Sequence, residues 1–481
     1  MNKRNNQVLI LIAIFIATFM TSVEVTIVTT ALPEIISALH GLAYQSWIMS
    51  SYLLTTAIST LIYGKLADTY GRKQLFQIGV ILFTVGSCLS GFAPNIFFLI
   101  AARALQGCGA GAIIPLTFTI IADLYSFKKR AQILAFTNTA WGLSALIGPL
   151  LGGFLVDQLS WNWVFFVNVP LGILVWLLMA FFYTDHYQGQ AAAALDTAGC
   201  LWLAASLTCL LIGIQLLTEQ PLIAGLIIIL ALIFPILFFK HEKKAVNPLL
   251  SLKIFKNKTF NVQIATATIL SGILICYQIY FPIWLQSIYQ IHATQAGSVV
   301  TSSSLAWLIT SLLVGKLLAQ FSPRKIALTV ISIQTVSYLP LLFISKSFAD
   351  WIFYLIAAIS GGGMGIVITM NIMLCQQLVK PDLIASASSL VTLGRSLGQT
   401  VMAGVYGAVF NASLKIRLPL KWQTAADQVV SGNNLALSAH AVTTIEAALL
   451  AALHTIFALV ILLFVVALIC NWFDPIHDKI S

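Results

Sequence analysis

Fourteen apolar stretches, most of them about 20 residues long, recur along this chain at 8–32, 44–65, 75–92, 96–122, 131–156, 163–183, 195–217, 221–239, 260–282, 294–319, 326–344, 350–378, 384–412 and 448–472. Nothing constrains the fold more. A bilayer core offers no water to bond exposed peptide groups, so a spanning segment is either a helix or part of a closed barrel. A helix rises about 1.5 Å per residue and needs about 20 apolar residues to cross, whereas a barrel strand alternates over about ten. The runs here are of the helical kind, and no repeated alternation is present. The chain is therefore predicted to be an all-α polytopic membrane protein with 14 transmembrane helices. Only 8% of its 481 residues are charged, against about 25% in soluble domains, which excludes a soluble globular class.

The net charge of +10 does not point to nucleic acid, because the charges punctuate the apolar runs and act as topology signals. With the loops assigned alternately to two sides, the side of the N-terminus holds 19 lysines and arginines. The other side holds four, Lys346, Lys415, Arg417 and Lys421. Both termini are thus expected in the cytoplasm. Lys3 and Arg4 precede an apolar run that is too long for a signal peptide and lacks a small-residue cleavage pattern, so it reads as an uncleaved span. All seven cysteines fall within apolar segments without CxxC spacing, which indicates neither a disulfide framework nor a metal site.

The chain echoes itself. GKLADTYGRK at 64–73 is answered by GKLLAQFSPRK at 315–325, and GCGAGAI at 107–113 by GGGMGIV at 361–367, about 250 residues later in each case. The expected organisation is an N-terminal six-helix bundle over 1–185, two inserted helices over 186–240, a cytoplasmic connector at 241–259, and a C-terminal six-helix bundle over 260–481. The second bundle carries an external loop at 413–447, either with a task or simply mobile. Repeated halves with a site near the midplane are the architecture of secondary transporters.

Three charges lie deep inside spans, away from the span ends: Glu24, Arg103 and Arg395. A charge at bilayer depth costs on the order of 2.5–3.5 kcal/mol even on lenient scales, so each needs a partner or a purpose. Glu24 and Arg103 lie about eight and seven residues from the outer ends of their spans, roughly 10–12 Å deep at the helical rise. Matching depth makes an ion pair possible. Two readings are open: a functional carboxyl tuned by Arg103, or a carboxyl that is only packed or ion-paired between helices. Arg395 can pair with a helix end or favour an anionic group.

The short turn Gly64 to Phe76 reads GKLADTYGRKQLF, in which Gly64 and Gly71 permit tight packing and left-handed backbone. Asp68 can cap the following turn or pair with Arg72, and with Lys73 the cluster can act as a conformational latch. In the fifth span, Gly148, Pro149, Gly152 and Gly153 interrupt the regular helix and let a neighbour approach, which suits a hinge as well as a structural kink. The turn resembles the signature loop of the major facilitator superfamily, Gly-x-Leu-Ala-Asp-x-x-Gly-Arg-Lys, although Thr69 stands where the family often has a basic residue. Arg103, Gln106 and Gly107 resemble its Arg-x-x-Gln-Gly motif, associated there with proton coupling. GPLLGG at 148–153 resembles the antiporter motif of its exporters. Thr26, Ile27, Val28, Ala31, Leu32 and Pro33 match the opening motif of the fourteen-span drug:proton antiporters, with Glu24 in place of the usual Asp; LDTAG at 195–199 also fits that subfamily.

The resemblance implies a proton-coupled antiporter that exports amphipathic drugs or toxic organic compounds across the cytoplasmic membrane by alternating access. Glu24 and Arg103 would couple protons. Gln106, Asn138, Trp141, Tyr277, Gln278, Tyr280, Asn371 and Arg395 are the substrate-binding candidates around the first, fourth, fifth, ninth, twelfth and thirteenth spans. Each of these also suits plain interhelical packing. No cofactor is expected, because no Walker-type phosphate loop occurs and the proton gradient would drive transport. The expected partners are an amphipathic small molecule, protons and membrane lipid, with an adaptor protein and outer-membrane channel if the host is Gram-negative. The alternatives are a dedicated exporter of a metabolite or siderophore, and a transporter-like sensor or lipid-handling protein. Neither reading makes the chain an enzyme.

Overall fold

The computed structural model describes the whole chain except residues 1–2, 126, 186–196, 218–219, 244–253, 347, 380–383, 420–421, 423–424, 432–437 and 476–481. Much of the expected connector therefore lies outside the described residues. Helices carry nearly all of the rest, as a medium without competing water demands. They are α1 (Lys3–Leu39), α2 (Gln45–Tyr70), α3 (Arg72–Gly91), α4 (Ile96–Leu124), α5 (Phe127–Gln158), α6 (Trp163–Phe166), α7 (Asn168–Phe182), α8 (Thr197–Leu216) and α9 (Pro221–Glu242). There follow α10 (Lys258–Ser287), α11 (Ala293–Ser311), α12 (Val314–Gln320), α13 (Pro323–Tyr338), α14 (Trp351–Gln377), α15 (Ile384–Arg417), α16 (Ala426–Val430) and α17 (Ala439–Trp472). Side-chain caps begin several of them: Asn95 accepts from the Phe98 amide at α4, Asn257 from Phe260 at α10, and Ser438 from Ala441 at α17.

Among the described residues, 11 helices are long and apolar enough to cross a membrane, or up to 12 if one bent pair is a single span. That pair falls on the expected span at 294–319, which it breaks into two helices. α11 and α12 meet at a 50° bend around Leu312 and Leu313, and neither residue type announces it. α2 and α15, at 26 and 34 residues, occupy the positions of the second and thirteenth expected spans.

Two compact units result. The first comprises 1–31, 47–210 and 227–249; the second comprises 32–46, 211–226 and 250–481. The first is assembled through close helix crossings on α4. Gly107 and Gly111 lie against Tyr52, Thr56 and Ser59 of α2, while Gly109, on the opposite face, lies against Gly79 and Phe83 of α3. A methyl at Gly109 would come within 2.2 Å of the Phe83 amide nitrogen and 2.5 Å of the Gly79 carbonyl, and backbone atoms cannot swing aside. α9 is different: only 17% of its apolar window is buried, so its outer face requires lipid.

The second unit is built around α10, with 78% of its apolar window buried. Trp284 and Phe281 pack on Phe353 and Phe457 with ring centroids 5.3–5.5 Å apart, and Tyr338 joins Phe457 at 6.2 Å. In the same unit, the turn after α1 is clamped by the stretch that was expected to be a loop at 413–447. The Leu42 amide donates to Asp427 of α16 at 3.0 Å, and His40, in left-handed backbone at φ 50°, lies 3.9 Å from the other Asp427 oxygen. Asn411 donates to the Ala43 carbonyl at 2.6 Å. The described part of that stretch thus has a structural task.

Two outcomes are expected. Gly109→Ala lowers the melting temperature of the purified protein, a loss of about 1–3 kcal/mol for an overpacked contact, while Gly225→Ala, with nothing within 4 Å of the added methyl, costs nothing. Equal melting temperatures for the two variants would remove the close-packing argument. Burial raises the Asp427 carboxyl from an ordinary 3.8 to about 6, against the opposing pull of the Leu42 amide and His40. Between those values the folded state holds more protons than the unfolded chain, so this group's stabilising contribution is complete below about pH 3.8 and is lost as pH rises through about 6. Asp427→Asn keeps an oxygen for Leu42 and is expected to melt above the parent at pH 7.5, with the gap closing toward pH 4. A gap independent of pH would show that Asp427 does not titrate there.

Candidate functional site

Two lone charges meet in the interior of the first unit. Arg103 of α4 donates through Nη1 to Glu24 of α1, and both side chains are 0% exposed. The same Nη1 donates to the Gln106 side-chain oxygen at 2.6 Å, one helical turn along α4, and Nε donates to the Ile48 carbonyl of α2 at 3.2 Å. The Tyr52 ring lies 4.3 Å from the guanidinium carbon, a cation–π contact in a dry setting. Glu24 is held from its other side as well: Asn168 of α7 donates to its second oxygen at 2.6 Å. Gln106 and Asn168 both donate to Ser87 Oγ of α3, at 3.0 and 3.3 Å, and Ser87 donates to the Phe165 carbonyl at 3.0 Å.

The expected pairing of Glu24 with Arg103 is therefore present, and Gln106 belongs to the same cluster. Three members escaped the sequence reading: Tyr52, Ser87 and Asn168. Asn168 had a signal, since it stands alone between apolar residues in VFFVNVPLG. Ser87 and Tyr52 had none, because single hydroxyls are ordinary in spans and bond their own helix. The cluster is nearly, though not wholly, satisfied. Arg103 Nη2 and the Asn168 side-chain oxygen are buried without a hydrogen-bond partner. Each carboxylate oxygen of Glu24 accepts one hydrogen bond and keeps a second lone pair.

The turn between α2 and α3 is a second charged constellation. Gly71 adopts φ 85°, the left-handed backbone that the sequence implied. Gly64 lies in α2, and the side chain of Asp68 is outside the described residues. Arg72 pairs with Asp123 at the end of α4. Asp185 caps α3, accepting from the Arg72 and Lys73 amides at 2.7 and 3.1 Å, while the Lys73 ammonium donates to the Ala180 carbonyl at 2.8 Å. Asp123 and Asp185 were missed because they are distant in sequence. α5 runs unbroken from Phe127 to Gln158 through Pro149, with Gly148 and Gly152 seated on Thr26, Ile27 and Thr30 of α1 and Gly153 buried.

The remaining candidates divide between the units. In the first, Trp141 is 44% exposed on α5, and the side chain of Asn138 is outside the described residues. In the second, the Tyr277 hydroxyl is bonded to Ser303 of α11, and Tyr280 packs on Tyr406 and Phe410. Asn371 donates to the Gln263 carbonyl at 3.2 Å, and the Gln278 side-chain oxygen is buried without a partner. Arg395 is half-buried and donates through Nε to Ser271 at 3.4 Å. No group of three or more metal-ligating side chains is present among the described residues.

A helical membrane fold with a buried charge cluster and no metal-ligating group among the described residues fits a small-molecule transporter. The sequence model of the Major Facilitator Superfamily matches residues 14–403, and the chain belongs to that family. It is similar to Multidrug resistance protein 3 of Bacillus subtilis (strain 168), 31% identical over 412 residues, covering 85% of this chain and 80% of that protein. The Multidrug efflux pump SdrM of Staphylococcus aureus (strain N315) is 27% identical over 412 residues, covering 84% and 90%. A solved bacterial homolog of the human lysosomal transporter Spinster, inward-facing and unoccupied, superposes with TM-score 0.71 at 14% identity, covering 98% of this chain and 97% of that one. At that identity the likeness concerns the fold alone.

Removing one partner of the buried pair leaves an uncompensated charge, so Arg103→Ala and Glu24→Ala are each expected to cost about 3–5 kcal/mol of stability. The double variant should cost far less than their sum, as measured in a thermal double-mutant cycle. Additive losses would mean that the two groups do not sense each other.

Proposed function

We propose that this protein is a proton-coupled antiporter that exports amphipathic drugs or toxic organic compounds across the cytoplasmic membrane. The observation that carries this reading is the sealed pair of Glu24 and Arg103, whose hydrogen bonds are all internal to the first unit. A purely structural pair is expensive to retain in a bilayer. A carboxyl that must load and release a proton has a reason to be there. Burial favours its neutral form and the guanidinium its charged form, so modest movement of the surrounding helices shifts the balance. The direction of transport is supported by GPLLGG at 148–153 and by the names of the bacterial relatives.

In this reading the chain crosses the membrane 14 times with both termini in the cytoplasm, and its repeated six-helix halves rock to give alternating access. No cofactor takes part; the proton gradient supplies the work. Exchange of one proton for a monovalent cation is electroneutral, whereas exchange for a neutral molecule moves one charge, about 2.3 kcal/mol per 100 mV. Arg72, Asp123 and Asp185 serve as the latch and Gly148 to Gly153 as the hinge. A dedicated exporter of one metabolite is the second reading, and the observation favouring it is Arg395.

Proteoliposomes with an imposed pH gradient and a trapped pH dye test the main reading. Addition of a lipophilic cation panel is expected to release protons in the parent and not in Glu24→Gln. Undiminished exchange in Glu24→Gln would displace the proton site from Glu24, and silence of the parent toward every compound would remove broad drug export.

A further inference from the structure

The second unit holds an arginine treated in the opposite way to Arg103. Arg395 lies 11 residues into α15, roughly 16 Å along the helix from Ile384, and 22 residues before Arg417, so it sits well inside the helix. Its backbone is firmly mounted. The flanking Gly394 and Gly398 press on Thr268 of α10, where a methyl on Gly398 would come within 2.0 Å of the Thr268 carbonyl. Its side chain, by contrast, is under-used. Nε makes one long bond of 3.4 Å to Ser271, and among the described residues neither Nη group has an acceptor.

No carboxylate among the described residues pairs with Arg395. Asp350 is bonded to Gln295, Asp427 to Leu42, Glu446 to Lys346, and Asp474 to Thr259 and Gln263. Arg103 shows how this chain neutralises a guanidinium: a carboxylate, an amide oxygen, a carbonyl and an aromatic face, with complete enclosure. Arg395 has one hydroxyl and remains half-buried, its fork free. A free guanidinium fork presents two parallel N–H pairs matched to a carboxylate, phosphate or sulfonate. In a low-dielectric setting that match also discriminates strongly against a cation.

We propose that Arg395 receives the anionic group of the exported molecule, so that the chain moves amphipathic acids and zwitterions in preference to simple lipophilic cations. This rests on the exporter reading above and deepens it by naming the substrate class. The same fork would also accept a lipid headgroup, since the recognised chemistry is shared.

The test uses the full chain in proteoliposomes with three probes: a naphthalene carboxylate dye, its methyl ester, and tetraphenylphosphonium. The parent is expected to export the carboxylate, and Arg395→Gln to slow it at least tenfold while leaving the ester and the cation within twofold. Arg395→Lys, which keeps the charge and loses the fork, should fall between. Binding of the same probes to detergent-purified protein, read by tryptophan fluorescence, decides the point independently of transport. Equal elution and melting temperature of the variants establish that they are folded. If the parent moves the cation with proton release but neither binds nor moves the carboxylate, the exporter reading stands and the anion site falls. Equal slowing of all three probes in both variants overturns the proposal too. If rates depend on phosphatidylglycerol in the liposomes, and Arg395→Gln abolishes that dependence without separating acid from ester, the anion is a lipid headgroup and not the substrate.

Discussion

Arg103 has to be solvated by protein, and the first unit is arranged to do it. A guanidinium carries five donors and cannot shed its charge, so in a bilayer its acceptors must come from neighbouring helices. Here α1 supplies Glu24, α2 supplies a carbonyl and the Tyr52 ring, and α4 supplies Gln106. Ser87 of α3 and Asn168 of α7 then satisfy the residues that satisfy the arginine. Five helices converge on one point because one side chain demands it. The glycines of α4 make the convergence possible by letting α2 and α3 approach within backbone contact.

How much of this was legible depends on how rare each signal is. Apolar runs of spanning length have one structural meaning, so the helices lie close to where the sequence implied. Charges inside such runs are rarer still, and matching depth was enough to join Glu24 to Arg103. The 50° break between α11 and α12 falls at Leu312 and Leu313, and the nearby Gly315 was read as the start of the GKLLAQFSPRK turn and not as a break. Asn168 was marked only by its isolation among apolar residues, and Asp123 and Asp185 meet Arg72 from about 50 and 113 positions away, which no local pattern encodes. α16 lies in the stretch read as an external loop, and its bond to the turn after α1 joins residues 385 positions apart.

The comparisons divide the same way. Family and fold follow from features spread over most of the chain, and the fold agrees with solved transporters at 14% identity or less for several neighbours. What is moved is written in far fewer residues. Arg103 and Arg395 are chemically identical, and their difference in role is a difference in what surrounds them. One is enclosed with its counter-ion, while the other is half-buried with a single long bond to Ser271.

The lipid-facing surface of α9 bears on descent. Acyl chains distinguish hardly at all among leucine, isoleucine, valine and phenylalanine, so substitutions along that helix are close to neutral. At Gly109 a single added methyl meets backbone on a neighbouring helix, and drift there is forbidden. The two regions therefore run on separate evolutionary clocks. A single identity value for the whole chain averages them, understating kinship at the helix crossings and overstating the significance of change at the membrane boundary.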